Sequence, residues 1–147
     1  MRDKLKILFL CTGNSCRSQM AEAFARHVKG DVIEPYSAGV APQALNPLAV
    51  KVTSEIGIDI SAQRSRHVDG LKHLDFDYVV TVCDSARDTC PVFPEKTGSL
   101  HVAFDDPPRL ARSAKSESEA IQHYRRVRDE IASFVKTLPE SLDTFKE

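Results

Sequence analysis

The chain has 147 residues, enough for one domain around a single sizeable core. With 41% hydrophobic residues, 28% charged residues and a formal net charge of −1, the composition is that of an ordinary globular protein, and it implies neither nucleic acid nor an anionic membrane as a partner. The longest apolar run, residues 7–11, is far too short to span a bilayer, and no long apolar leader opens the chain, so a cytoplasmic protein is expected.

Residues 5–10, Leu-Lys-Ile-Leu-Phe-Leu, suit a strand buried on both faces. From Ser18 to Lys29, Met20, Ala21, Phe24, Ala25 and Val28 recur at helical spacing, and Gly30 ends the element. Residues 32–37 read as a second strand, closed by Ala38-Gly39. Asn46 caps a helix with Pro47 at its first position; it runs through Ala49, Val50, Val52 and Ile56 to a stop at Gly57. Residues 77–82 form a third strand ending on Cys83, and residues 100–104 a fourth ending on Asp105. A long helix from Glu117 to Leu138 carries Ile121, Tyr124, Val127, Ile131, Phe134, Val135 and Leu138 on one stripe, and Pro139 marks its end. Strands alternating with helices over residues 1–147 imply a single α/β domain with a parallel four-stranded sheet between helices. Ligands of such sheets sit beyond the carboxyl ends of the strands, where Cys11, Cys83 and Asp105 all fall.

The first of these strand ends carries the densest chemistry, Cys11-Thr-Gly-Asn-Ser-Cys-Arg17-Ser18. Consecutive backbone N–H groups of a tight loop opening onto a helix N-terminus make a concave anion site. Arg17 adds a bidentate fork for two oxyanion oxygens, at a helix start where a cation otherwise opposes the macrodipole. The same field is expected to lower the pKa of Cys11 and make it a nucleophile. Thr12, Gly13, Asn14, Ser15, Cys16 and Arg17 are the expected oxyanion-binding residues; Gly13 suits a backbone with φ > 0 and Asn14 tolerates one. Ser18 reads as a helix cap, and Cys16 as a small side chain packed under the loop. Asp105 is expected to act as the general acid that protonates a departing oxygen, with Asp106 as the turn former before Pro107.

Four cysteines without an export signal point to catalysis or metal rather than to a disulfide framework. Cys11 and Cys16 are five positions apart and Cys83 and Cys90 seven, unlike zinc spacings, so no metal is expected. The five histidines are scattered without ligand spacing.

Cys-Thr-Gly-Asn-Ser-Cys-Arg-Ser-Gln-Met-Ala-Glu, residues 11–22, resembles the signature of the low-molecular-weight protein tyrosine phosphatase superfamily, and within it the arsenate reductase branch. The resemblance implies a phosphotyrosine protein phosphatase I-like three-layer sandwich, and a Ser18 hydroxyl that supports the Cys11 thiolate. A phosphatase needs one thiolate, one arginine and one acid. Reduction of arsenate needs a second thiolate to attack the sulfur of a thiol–arsenate adduct and a third to make the disulfide transferable. The segment Cys83-Asp-Ser-Ala-Arg-Asp-Thr-Cys90-Pro91 resembles the reductase redox segment. It implies redox-active disulfides among Cys11, Cys83 and Cys90, with no bound cofactor and thioredoxin or a glutaredoxin-type protein as external donor to a monomeric enzyme. A phosphatase and a non-catalytic oxyanion or redox sensor are the competing readings. Some related reductases hold a potassium ion with an Asn, a Glu, a Ser and an Asp. Asn14, Glu22 and Ser37 match that pattern, whereas Arg66 stands where the aspartate is expected.

Overall fold

A computed structural model describes residues 4–83, 93–94 and 96–142. Four strands, β1 (Leu5–Cys11), β2 (Ile33–Gly39), β3 (Tyr78–Thr81) and β4 (Gly98–His101), form one parallel sheet in the order β2-β1-β3-β4. β1 lies between β2 and β3, which explains its unbroken apolar run: Ile7 to Leu10 are fully buried. Its last residue, Cys11, pairs with Gly39 at the end of β2.

The helices among the described residues are α1 (Arg17–Lys29), α2 (Pro47–Ser54), α3 (Pro107–Arg112) and α4 (Glu117–Lys136), with a 3-10 turn at Val68–Leu71. α1 packs against β1, β2 and α4, and α4 also packs against α2 and α3. Every residue from Ser18 to Ala25 is buried, so the first two turns of α1 are enclosed on all sides rather than along one stripe. Val28, counted on the apolar stripe, is instead 41% exposed near the helix end. The α4 stripe faces inward as its spacing implies, with Ile121, Tyr124, Val127, Ile131 and Val135 buried.

α2 begins as expected, with the Asn46 side chain accepting from the N–H groups of Leu48 and Ala49, but it stops at Ser54. The Ile58 N–H returns to the Thr53 carbonyl through Gly57 at φ 87°, a left-handed turn that leaves Ile56 exposed. β4 occurs two residues earlier than expected. Its register is set by β3: a Cβ on Gly98 would lie 2.6 Å from the Tyr78 ring, so only glycine fits that edge. β4 ends at His101, although the Val102 N–H still donates to the Thr81 carbonyl at 2.9 Å and the Phe104 N–H to that of Val82 at 3.3 Å. The chain reaches Asp105 without regular secondary structure before the short helix α3, which apolar periodicity does not reveal. No helix among the described residues is long and apolar enough to cross a membrane.

Candidate active site

The loop between β1 and α1 is built from its carbonyls outward. Those of Cys11, Thr12, Gly13 and Ser15 accept from the N–H groups of Val40, Ala41, Gln43 and Asn46. Segment 40–46 thus satisfies the outer side of the loop, and the loop N–H groups remain as donors for an anion in the pocket. Gly39 makes this possible, because a Cβ there would lie 2.5 Å from the Thr12 carbonyl oxygen. Asn46 does double duty, since its side-chain amide also donates to the Tyr124 hydroxyl at 3.0 Å and ties the loop support to α4.

The positive φ in the loop falls on Asn14 (φ 50°), not on Gly13. Asn14 is fully buried, and its side chain explains how a non-glycine residue is held there. Its amide donates to Ser18 Oγ at 2.9 Å, and its Oδ1 accepts from Gln19 at 3.1 Å and from the Arg66 N–H at 2.9 Å. Its carbonyl accepts from Gln19 and from Ser65. Ser18 is not a cap: α1 starts one residue earlier, with Cys16 at the capping position and no side-chain cap bond.

A pocket over this loop is lined by residues Cys11 to Arg17, with Gln43, Cys83, Asp106, Pro108 and Arg112. Cys83, just past β3, hydrogen-bonds the Cys11 thiol and lies 3.3 Å from the Thr12 hydroxyl. That hydrogen bond, followed by burial, raises the Cys11 pKa well above the ordinary thiol value, with Arg17 pulling the other way. The expected lowering by Arg17 is therefore present but outweighed by Cys83 and by burial. Burial pushes the Cys16 thiol up to about 12, again against Arg17, which suits a packed and unreactive thiol. Cys11, Cys16 and Cys83 are all reduced. Cys90 lies outside the described residues.

The structure does not bring Asp105 to the pocket. Its carboxylate is turned outward to Arg126 at 3.0 Å, whereas Asp106 lines the pocket, 3.6 Å from Arg17. Asp106 stands at the capping position of α3, ahead of Pro107 and Pro108, two residues beyond Phe104, whose N–H still bonds the Val82 carbonyl. Arg17 also donates to the Phe104 carbonyl at 2.8 Å, which fixes its guanidinium at the pocket floor.

The residues that match a potassium site do not fit one here. Glu22 is buried, but one carboxylate oxygen accepts from Ser37 at 2.5 Å and the other pairs with Arg26 at 2.6 Å. Asn14 Oδ1 is fully used, and Arg66 contributes its backbone N–H to it. The cation beside Glu22 is thus Arg26 of the same helix. Among the described residues no group of three or more His, Cys, Asp or Glu is placed to hold a metal ion.

The low molecular weight phosphotyrosine protein phosphatase family matches residues 6–147. An arsenate reductase of Bacillus subtilis (strain 168) is 47% identical over 141 residues, covering 96% of this chain and 99% of that protein. A solved arsenate reductase in the phosphate-binding state has a TM-score of 0.73 at 28% identity, covering 96% of this chain and 98% of the other. The Corynebacterium glutamicum thioredoxin-dependent arsenate reductase has a TM-score of 0.64 at 27% identity, covering 96% of this chain and 63% of the other. With an anion loop after the first strand and a family match across nearly the whole sequence, the chain belongs to the low molecular weight phosphotyrosine protein phosphatase family.

Proposed function

We propose that this protein reduces arsenate to arsenite by a three-cysteine relay and is recharged by thioredoxin, a detoxifying reaction of the reducing cytoplasm. The observation that carries this reading is the Cys83 thiol hydrogen-bonded to the nucleophile Cys11 inside an oxyanion pocket. Hydrolysis of a phosphate ester has no use for a second sulfur at that position. The curated Bacillus subtilis relative and the thioredoxin-dependent structural neighbour support the substrate and the donor.

Arsenate enters as a dianion and is held by the loop N–H groups and Arg17. It takes the Cys11 proton, which overcomes the raised pKa of that thiol, and Cys11 Sγ attacks arsenic. One oxygen departs as water, protonated by Asp106, and a sulfur–arsenic bond replaces the arsenic–oxygen bond. Cys83 then attacks Cys11 Sγ. A disulfide forms, the sulfur–arsenic bond breaks, and its electron pair reduces As(V) to As(III), which leaves as arsenite. Cys90 attacks Cys83 in turn and releases the Cys11 thiolate. The Cys83–Cys90 disulfide passes to the dithiol of thioredoxin. Cys11, Arg17 and Asp106 also suffice for slow phosphate ester hydrolysis, a side activity of the same loop.

The direct test is arsenate-dependent NADPH oxidation with thioredoxin and thioredoxin reductase, compared with a glutathione-coupled system. Cys11→Ser is expected to abolish it, and turnover above ~1% of wild type would place the nucleophile elsewhere. Oxidation once per molecule, without turnover in excess thioredoxin, would favour a sensor.

A further inference from the structure

We propose that Arg112 is a second anion-binding arm of the pocket, holding an outer oxygen of the bound oxyanion beyond the reach of the loop and Arg17. The inference deepens the reading above and rests on it for the identity of the natural substrate. It starts from charge. Arg17 and Asp106 face each other at 3.6 Å, so the pocket floor carries one full positive side-chain charge at most, when Asp106 is protonated, and close to none when it is ionised. A tetrahedral dianion entering such a pocket needs a further cation, and the loop N–H groups supply only partial charge.

Among the described residues, Arg112 is the remaining cation on the pocket wall. The helix that places it there is the one that follows Asp106: Asp106 stands at the N-terminal boundary of α3, which ends at Arg112, and both ends reach the same cavity. Arg112 is exposed and makes no hydrogen bond or ion pair among the described residues, whereas Arg125, Arg126 and Arg128 on the neighbouring α4 are all paired with carboxylates. Its guanidinium is thus available to a ligand without breaking an existing bond, and its planar fork suits two oxygens of one tetrahedral centre. Arg109, on the same helix and equally exposed, does not line the cavity. It is a built-in control for position against charge.

The test uses the full-length reduced protein and inorganic phosphate, read as the phosphate concentration at half-saturation in a calorimetric titration. Arg112→Gln should raise that concentration about fivefold, the upper end for a solvent-exposed ion pair. Arg112→Lys should recover part of the loss, and Arg109→Gln should match wild type. The KM for arsenate should rise by the same factor in Arg112→Gln with kcat unchanged. A phosphate midpoint in Arg112→Gln indistinguishable from wild type, or an equal shift in Arg109→Gln, overturns the proposal. Absence of arsenate turnover in the wild type would overturn the proposed reaction instead, and the phosphate measurement would still decide the role of Arg112.

Discussion

Asp106 and Arg17 face each other across the floor of the pocket, with a carboxylate oxygen 3.6 Å from the guanidinium, while the adjacent Asp105 is turned away onto Arg126. Two neighbouring aspartates are thereby separated into a group facing the substrate and a surface ion pair. Asp106→Asn should lower arsenate turnover and p-nitrophenyl phosphate hydrolysis alike, by about 100-fold or more, the usual loss on removing a general acid. Asp105→Asn should leave both activities near wild type and cost less than about 1 kcal/mol of stability, since exposed pairs contribute little. The reverse order of effects in steady-state assays would return the acid role to Asp105.

The contact of Cys83 with Cys11 sets the ionisation of the nucleophile. Because the Cys83 hydrogen bond is the largest cause of the raised Cys11 pKa, removing it should leave burial opposed by Arg17 and move the pKa down. The pH profile of Cys11 alkylation by iodoacetamide should therefore shift to lower pH in Cys83→Ala, with faster labelling at neutral pH. An unchanged or upward-shifted profile would mean that the two sulfurs do not interact in solution.

Reduction and hydrolysis should part at the same residue. Cys83→Ser is expected to lose thioredoxin-coupled arsenate turnover while keeping the slow phosphatase activity, because hydrolysis calls on Cys11, Arg17 and Asp106 alone. Measuring both rates on one preparation checks this, and loss of both with an intact fold would contradict the separate role of Cys83.

Much of this site was legible in the residues themselves. β1 announces itself as an apolar run, α4 by its stripe and α2 by Asn46-Pro47, so the ends of β1 and β3 place Cys11 and Cys83 together without any knowledge of packing. Asp106-Pro107 is the same start signal as Asn46-Pro47, yet it reads as a turn because the helix it opens is only six residues long and shows no apolar period. That reading, with a strand end extended by three residues, singled out Asp105, whereas Asp106 is the aspartate that lines the pocket. Gln43, Arg112 and the Asn46–Tyr124 bond depend on how distant segments pack, and local pattern carries no trace of them.

The pairing of Arg26 with Glu22 is open to a measurement that needs no turnover. Exchanging KCl for NaCl at equal ionic strength should leave the melting temperature unchanged, since both oxygens of Glu22 already have partners. Arg26→Met should cost about 1–3 kcal/mol, the penalty for a buried acceptor that loses its donor. A clear potassium-specific rise in the wild-type melting temperature would show that an ion does enter beside Glu22.

Asn14 is held by the protein's own hydrogen bonds, from α1 through Ser18 and Gln19 and from segment 65–66. A cradle assembled beforehand binds with little ordering cost, but it also takes any tetrahedral oxyanion of the same size and charge. Phosphate and arsenate are nearly alike in both respects, so the loop has no group whose loss of a partner could reject one of them. In the proposed relay, discrimination lies after binding: only arsenic accepts the electron pair that a second sulfur drives out of the thiol adduct. In phosphate-rich solution such an enzyme is slowed by competition, with the apparent KM for arsenate rising in proportion to phosphate, yet it does not consume the competitor reductively.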